Sequence, residues 1–346
     1  MNNHNVIDFL IENSNIAIRY RTKRDLLKNT EEANKIHDEL LYSERAVFLL
    51  NCLNHQKEFH GATLYAVENS LNMLIDMGFQ YEKGFSEFDK IVNSITEKIK
   101  NKKIDDNHVL GKLNHIVTVP FLLRAGIRDD YLINFTKERI NLIYDFVKQK
   151  NYDIYDDVNK YKNIPKNFQN RPIIKHCLYE NGKMKFPLEY DLYGFASLFS
   201  ELNFEYQCKI NEIISYILDD KFSQIADDYG LLTDKKNYWA MGWAPKVTDL
   251  KKEYCYNPLL LKLDLMSNFS VAKKSKWFSQ SIEFINQFVD KKGFYHYPKN
   301  YLTEKNSCWI LANRMSLGEN RKRKNALLIE GTFRTLLILE KVKTKQ

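Results

Sequence analysis

A short joint between two helical stretches recurs along this chain and constrains its fold more than any other feature. At each joint, an apolar helical stretch is followed by a Gly or Asn, an apolar residue and a second helical stretch. A helix end favours a left-handed residue at that Gly or Asn. The four joints are Met77-Gly78-Phe79, Ala125-Gly126-Ile127, Leu202-Asn203-Phe204 and Ser267-Asn268-Phe269. Because one helical hairpin cannot bury its apolar face alone, the repetition predicts a stack of hairpins.

Apolar residues on both sides of the joints follow the three- and four-residue spacing of a buried helix face. Leu64, Val67, Leu71 and Leu74 show this spacing before the first joint. The pattern predicts the helix pairs 62–77 with 86–99, 109–125 with 130–148, 188–202 with 206–218, and 258–267 with 277–289, besides helices over 8–27, 32–53 and 319–342. The chain is therefore predicted to be almost wholly helical.

The 346 residues exceed the usual size of one compact core, which leaves two domains or one closed repeat array. The even spread of hairpins favours the array. We expect an all-α chain, a single α/α toroid domain over residues 1–346 with about five or six hairpins. Three long segments, 151–187, 219–257 and 291–318, each connect a second helix to the next first helix. They should emerge on one side of the stack and carry the binding residues.

Lys and Arg number 52 against 44 acidic residues, and the formal net charge of +8 is modest for this length. Both signs are interspersed along the helices, so we expect no nucleic acid partner. The five cysteines form no C-x-x-C pair, which is typical of reduced thiols. The sequence contains no run of about eighteen apolar residues, so we expect no membrane span. The first residues lack the pattern of a secretory signal. We expect a cytoplasmic protein.

Regions near both ends of the sequence carry a family resemblance. They are 18–27, 53–57 with 60–63, 293–298, and Arg321 through Phe333-Arg334. In these regions the chain resembles the terpenoid cyclase and protein prenyltransferase superfamily, and more narrowly the bacterial squalene-cyclase-like proteins of this size. The resemblance covers nearly the full chain and implies an α/α toroid around a central pocket.

The chain departs from the catalytic members of that superfamily. Their cyclases protonate an alkene with an Asp-x-Asp-Asp acid held neutral by its neighbours, and no such tetrad occurs here. The nearest string, Asp153-Ile154-Tyr155-Asp156-Asp157, has one residue too many, and no Asp-Asp-x-x-Asp magnesium motif is present. The family's Gln-x-x-x-Gly-x-Trp repeat is degraded, since Gln56 is followed by Gly61 and no Trp. The resemblance therefore implies a fold more than an activity.

Prenyltransferases of this fold hold a catalytic zinc through Asp, Cys and His. The nearest counterpart here is Glu253, Cys255 and His296, which would supply three ligands and leave a fourth position open. A buried thiol and an ordinary loop histidine explain the same residues. We predict no cofactor and keep zinc as an alternative.

A cationic run, Arg321-Lys322-Arg323-Lys324, lies near the predicted start of the last helix, with Arg314 upstream. A helix N-terminus that carries arginine suits a phosphate, diphosphate or carboxylate group. Arg321 and Arg323 would form the core of this anion site because a guanidinium binds such groups in a bidentate manner. A solvated charged face is the alternative.

Aromatic residues concentrate in or beside the three long segments. The candidates for ligand contact are Tyr190, Tyr193, Trp239, Trp243, Tyr295, Tyr297 and Trp309. Such rings contact carbocations and apolar chains, stack on sugar rings, or fill the centre of a fold. These three interpretations stay open.

His60, Tyr65 and Glu68, around the start of the helix 62–77, form the candidate set for general acid and base catalysis. Positions 61, 65 and 68 share one helix face, which would bring the three side chains together. A helix cap with one surface ion explains the same residues.

No Gly-rich phosphate loop, G-x-S-x-G elbow or H-E-x-x-H motif occurs, which argues against nucleotide hydrolases, serine hydrolases and zincins. We expect a diverged terpenoid-cyclase-like protein that binds a small or elongated ligand, an isoprenoid or an anion, in the central pocket. The first alternative is a carbohydrate-active enzyme, a polysaccharide lyase or glycoside hydrolase on the same fold. The second is a non-catalytic interaction scaffold. The sequence leaves the ligand and the oligomeric state open.

Overall fold

Helices make up most of the chain that the structure describes. The structure is a computed structural model, and it describes residues 4–226, 228–250, 256–298, 317–320 and 322–343. The predictions made for Glu253, Cys255, Trp309, Arg314 and Arg321 lie outside these residues. No helix in the described ranges is long and apolar enough to cross a membrane.

The first nine helices precede the first strand. They are α1 (His4–Asn13), α2 (Ile16–Arg21), α3 (Thr30–Asn34), α4 (His37–Leu41), α5 (Glu44–Asn54), α6 (Val67–Met77), α7 (Ser86–Asn101), α8 (Leu113–Ala125) and α9 (Asp130–Val147), with a π-helical turn over Thr22–Leu26. The later helices are α10 (Glu189–Leu198), α11 (Phe204–Leu218), α12 (Asp220–Ser223), α13 (Tyr256–Met266), α14 (Ser270–Lys273), α15 (Lys276–Asn286) and α16 (Ala326–Lys343). The last helix thus begins at Ala326 and not at the predicted position 319.

The chain forms two compact units. Unit 1 comprises residues 1–94 and 248–346, and unit 2 comprises residues 95–247. In unit 1, α1, α13 and the π-helical turn all contact α16, so that early and late elements of the chain pack together. The shared core contains Leu10, Ile18, Leu317, Ile329 and Phe333. A single closed toroid over the whole chain stays a prediction.

In unit 2, helix α8 is enclosed on all sides. Every residue from His115 to Leu123 is buried, and α8 packs against α9 and α10. Helix α9 buries one face, which includes Leu132, Ile140 and Ile143, and it packs against α11. A helix that is apolar all round lies inside a fold, whereas an amphipathic helix lies at its surface. Helix α8 is therefore an inner helix of unit 2 and α9 an outer one.

Two of the four predicted joints have the expected backbone. Gly78 and Gly126 end α6 and α8 in the left-handed conformation, with φ of 116° and 107°. The prediction was wrong for Asn203, which has φ −65° and whose side chain instead caps the start of α11 by accepting from the Tyr206 amide. It was also wrong for Asn268, which is not among the left-handed residues and whose Nδ2 donates to the carbonyls of Asp264 and Leu265. An Asn side chain serves such backbone groups itself, so no left-handed turn is needed.

A small sheet in unit 2 corrects the prediction of a wholly helical chain. Its strands are β1 (Tyr155–Asp156), β2 (Ile173–Ile174), β3 (Gly230–Asp234) and β4 (Asn237–Met241), in the order β1-β2-β3-β4. The pairs β1–β2 and β3–β4 are antiparallel, and β2–β3 is parallel. The sequence gives little sign of the β3–β4 hairpin because Lys235, with φ 56°, stands at a turn where Gly or Asn is the usual signal.

Candidate functional site

Four aromatic residues of unit 2 lie together, and we call them the aromatic cluster: Phe121, Tyr190, Tyr193 and Trp243. The ring centroids of Tyr190 and Trp243 are 5.5 Å apart at an interplanar angle of 69°. The Phe121 ring lies 5.8 Å from that of Tyr190 and 5.4 Å from that of Tyr193. Edge-to-face and tilted contacts at these distances are favourable for aromatic pairs. Three residues predicted to contact a ligand are thus brought to one place.

The start of α10 holds the two tyrosines of the cluster in position. Arg139 of α9 pairs with Asp191 through two hydrogen bonds, Nε to Oδ1 at 2.9 Å and Nη2 to Oδ2 at 2.7 Å. The same carboxylate accepts from the Leu188 amide at 2.8 Å and so caps α10. Because both charged side chains are buried and bidentate, the pair fixes this helix end firmly. Tyr190 and Tyr193 are three positions apart and therefore share a face of α10.

Trp243 follows β4 and has an unusual backbone conformation. Its φ is 62°, in the left-handed region, which a bulky residue rarely adopts and which costs about 1–3 kcal/mol. Its carbonyl accepts a hydrogen bond from the Glu189 amide at 2.8 Å, which connects the end of the sheet to the first turn of α10. This conformation and the hydrogen bond together place the indole beside Tyr190.

A guanidinium group lies over one edge of the aromatic cluster. The Cζ atom of Arg124, in α8, is 5.3 Å from the ring centroid of Tyr193, within the range of a cation–π interaction. Arg124, Tyr193 and Trp243 are half-buried, whereas Phe121 and Tyr190 are fully buried. The cluster therefore has an apolar base of two buried rings and a partly exposed side that carries two rings and a positive charge.

Trp239 lies apart from this cluster. It belongs to β4, is half-buried, and contacts the His108 ring at 5.2 Å and an angle of 76°. The structure thus separates Trp239 from Trp243, although the two residues are four positions apart in the sequence.

His60 and Glu68 of unit 1 contact each other directly, as the sequence predicted. Nδ1 of His60 lies 2.6 Å from Oε1 of Glu68, and the same oxygen accepts from the Gly61 amide at 2.9 Å. Glu68 is buried, and 15% of the His60 side chain is exposed. Tyr65 does not join them: it is 38% exposed, and Lys57 Nζ lies 5.2 Å from its ring centroid. The predicted set of three is therefore a pair.

Tyr295 and Tyr297 lie in unit 1 against α16. The Tyr295 amide donates to Thr332 Oγ1 at 3.0 Å, and its hydroxyl donates to Asn286 Oδ1 at 3.1 Å. The Tyr297 hydroxyl lies 2.9 Å from Thr335 Oγ1. Both rings are buried, and this burial raises the pKa of each phenol. The hydroxyl groups of both residues are thus used within unit 1, that of Tyr295 by Asn286 of α15 and that of Tyr297 by Thr335 of α16.

His296 projects from the same segment toward solvent. Its Nε2 lies 2.9 Å from Oδ2 of Asp290, and 56% of its side chain is exposed. Its predicted partners in a zinc site, Glu253 and Cys255, fall outside the described residues. Among the residues that are described, no group of three or more His, Cys, Asp or Glu could hold a metal ion.

The predicted anion site can be followed through Arg323 alone. Arg323 lies in the turn before α16, where its Nη2 donates to the Asn13 carbonyl at 2.9 Å and its Nη1 is 3.6 Å from Oε2 of Glu319. About half of its side chain is exposed. Arg323 therefore links the start of α16 to the end of α1.

Asp156, in the string that most resembles the cyclase acid, has the wrong electrostatics for protonating an alkene. Lys160 Nζ donates to its Oδ1 at 2.6 Å, and the Tyr161 hydroxyl donates to Oδ2 at 2.8 Å. The hydrogen bond from Lys160, followed by that from Tyr161, lowers the pKa of Asp156 to about 2. A carboxylate that stays ionised down to this pH is a poor proton donor.

The sequence interpretation missed two groups of charged residues. Arg21 and Arg24 both pair with Asp25, at 2.8 Å and 2.6 Å, and they also donate to the carbonyls of Asp76 and Gly78 at the end of α6. The four-residue interval between Arg21 and Asp25 was an available signal. The Arg139–Asp191 pair joins residues 52 positions apart and left no local signal.

Comparison with known proteins identifies no relative. No protein family, curated protein or solved structure matches this chain. The resemblance to the terpenoid cyclase and prenyltransferase superfamily therefore stays a prediction.

Proposed function

We propose that the chain is a ligand-binding protein whose aromatic cluster contacts the apolar part of a small amphipathic molecule. The observation that carries the proposal is Trp243, a bulky residue that keeps a costly left-handed backbone and presents a half-buried indole beside Tyr190. Strained residues of this kind concentrate where a side chain must be held in a particular orientation for function.

The charge beside the cluster supports an anionic group on the same ligand. The guanidinium of Arg124 lies over the Tyr193 ring and is partly exposed. A planar guanidinium that is partly shielded from water binds phosphate or carboxylate oxygens well. An isoprenoid diphosphate combines an apolar chain with such a head group, and it agrees with the family resemblance.

Binding experiments with three probes distinguish the possible ligand classes. Farnesyl diphosphate supplies the chain and the anion, inorganic diphosphate supplies the anion alone, and trigalacturonate supplies sugar rings with carboxylates. Calorimetric titration of the full chain is expected to show binding of farnesyl diphosphate. Preference for trigalacturonate would instead support the carbohydrate alternative, and no binding of any probe would support a scaffold.

Variants at two tryptophans test the location of the site. Trp243→Gly removes the indole and introduces a residue that adopts φ 62° without strain. We expect it to weaken farnesyl diphosphate binding at least about tenfold, because loss of one aromatic contact and its burial is worth about 1.4 kcal/mol or more. Trp243→Phe should retain most of the affinity, and Trp239→Ala, on the separate His108 contact, is the matched control. Equal affinities for Trp243→Gly and the parent would refute the proposal.

A further inference from the structure

Strand β4 lies at one edge of the four-stranded sheet in unit 2, and the adjacent strand, β3, shows which way the backbone groups of β4 point. The Leu231 amide of β3 donates to the Pro172 carbonyl at 2.8 Å. The Thr233 amide donates to the Tyr179 hydroxyl at 3.0 Å, and that hydroxyl donates to the Thr233 carbonyl at 3.1 Å. Leu231 and Thr233 therefore direct these groups away from β4.

Two residues of β4 consequently direct their backbone toward the outer edge of the sheet. Ala240 lies opposite Leu231, and Tyr238 lies opposite Thr233. Residues opposite each other in an antiparallel pair either bond to each other or both point outward. The amides and carbonyls of Tyr238 and Ala240 thus face outward, and within the described part of the chain nothing bonds to these four groups. Ala240 and Asn237 are exposed, so another chain can reach this edge.

The two edges of this sheet differ in how they are protected. Natural proteins protect a free edge with a short strand, a charge or a proline. Strand β1, at the opposite edge, has two residues and carries Asp156. Strand β4 has five residues, Asn-Tyr-Trp-Ala-Met, none of which is charged or a proline. An unprotected edge of this length is typical of a strand that pairs with another chain.

We propose that two copies of this chain pair through β4 in an antiparallel arrangement and form a symmetric dimer. A two-fold axis at Trp239 places Tyr238 opposite the partner's Ala240, and Ala240 opposite the partner's Tyr238. Each of these two pairs exchanges both of its N–H to C=O hydrogen bonds, so that all the outward groups of each copy are satisfied. The two four-stranded sheets then join into one.

The side chains along β4 favour a second copy as the occupant of this edge. Trp239 is half-buried, and the two-fold register puts it directly opposite the partner's Trp239 on the same face of the joined sheet. Two aromatic residues that face each other in this way are a favourable cross-strand pair. Lys236, in the turn before β4, falls opposite the partner's Gly242, which is uncharged and where an added Cβ would have no atom within 4 Å. The register therefore pairs aromatic residues and opposes no like charges along the strand.

Sedimentation velocity of the full chain, over a wide range of concentration, measures this association. We expect the parent to form a dimer. Ala240→Pro removes one outward amide from each copy, and the fold should accept it because proline is tolerated where the amide of an edge strand faces solvent. The loss of two intermolecular hydrogen bonds, each worth roughly fivefold in affinity, should raise the dissociation constant at least about tenfold. Ala240→Ser keeps the amide and is the matched control.

Cysteine cross-linking tests the register independently. Trp239→Cys places two thiols opposite each other at the two-fold axis, at a separation that a disulfide can span. Mild oxidation should link this variant into dimers much faster than the parent, whose exposed Cys177 and Cys208 give the background rate. Asn237→Cys should stay at that background, because the two copies of position 237 lie too far apart along the paired strands for a disulfide.

Three results would overturn the proposal. The first is a parent chain that stays monomeric at every concentration, which would leave this edge to a strand of a different protein. The second is a dimer whose dissociation constant is unchanged in an Ala240→Pro variant that circular dichroism shows to be folded. The third is a Trp239→Cys variant that cross-links no faster than Asn237→Cys. None of these measurements uses a ligand, so they are independent of farnesyl diphosphate binding.

Discussion

Asp25 provides a quantitative test of how the first helices of unit 1 are held to α6. Its carboxylate lies between Arg21 and Arg24, which also donate to the Asp76 and Gly78 carbonyls. Burial alone would raise the pKa of Asp25, but the charge of Arg21 and the hydrogen bond from Arg24 lower it from 3.8 to about 2. Each tenfold change in proton affinity is worth about 1.4 kcal/mol. The ionised carboxylate therefore stabilises the folded chain by roughly 2 kcal/mol.

Asp25→Asn removes this charge and leaves two neighbouring guanidinium groups without it. At pH 7 we expect the free energy of unfolding, from urea denaturation followed by circular dichroism, to fall by about 2 kcal/mol or more. Glu39→Gln, which removes the exposed partner of Arg19, should cost less than about 1 kcal/mol. Because folding lowers the pKa of Asp25, its contribution is complete above pH 3.8 and is lost as the pH falls toward 2.

The pH dependence provides the result that would refute this reasoning. The difference in stability between the parent and Asp25→Asn should close between pH 3.8 and about 2. A difference that persists unchanged at pH 2, or a variant that at pH 7 is as stable as Glu39→Gln, would show that Asp25 does not act through its charge.

Two further predictions concern the joints and the inner helix of unit 2. Gly78→Ala should lower the free energy of unfolding by about 1–3 kcal/mol, because φ is 116° and a Cβ atom would lie 2.9 Å from Cδ1 of Tyr20. Gly242→Ala is the control, because a Cβ atom there would have no neighbour within 4 Å. Equal losses of stability in the two variants would contradict the prediction. His115 is buried in α8 and desolvation lowers its pKa below 6.5, so the unfolded chain binds this proton more readily and stability should fall as the pH drops below 6.5. Between pH 7.5 and 5.5, the free energy of unfolding from urea denaturation should decrease less for His115→Phe than for the parent. An equal decrease in both proteins would show that His115 does not cause this pH dependence.

Local sequence signals predicted most of the helices and the joints in part. The single helix predicted over 32–53 was wrong, because that stretch forms three short helices, α3, α4 and α5. Gly78 and Gly126 were predictable because a glycine at the end of a helix usually adopts the left-handed conformation. Asn203 and Asn268 were ambiguous, since Asn supplies either a left-handed backbone or a capping side chain. The β3–β4 hairpin was missed because its turn at Lys235 has no Gly or Asn. The strain at that turn is compensated by the antiparallel pairing of β3 with β4.

The candidate site, too, was predicted only in part from local sequence. Tyr190, Tyr193 and Trp243 could be nominated because aromatic residues concentrate near the long segments. Phe121 and Arg124 could not, because they lie on α8 and reach the cluster only through the packing of α8 on α10. Tyr65 was nominated from its helix face, yet α6 begins at Val67, so that the helical spacing does not apply to it.

The account depends most on the claim that the aromatic cluster contacts a ligand, and fluorine NMR tests this directly. Protein labelled with 5-fluorotryptophan gives a separate signal for each indole, and the Trp243 signal is assigned from its loss in Trp243→Phe. We predict that farnesyl diphosphate shifts the Trp243 signal and leaves the Trp239 and Trp277 signals in place. Two results would contradict the claim. One is a Trp243 signal that stays unchanged at concentrations that saturate the calorimetric titration, and the other is the absence of any binding in that titration.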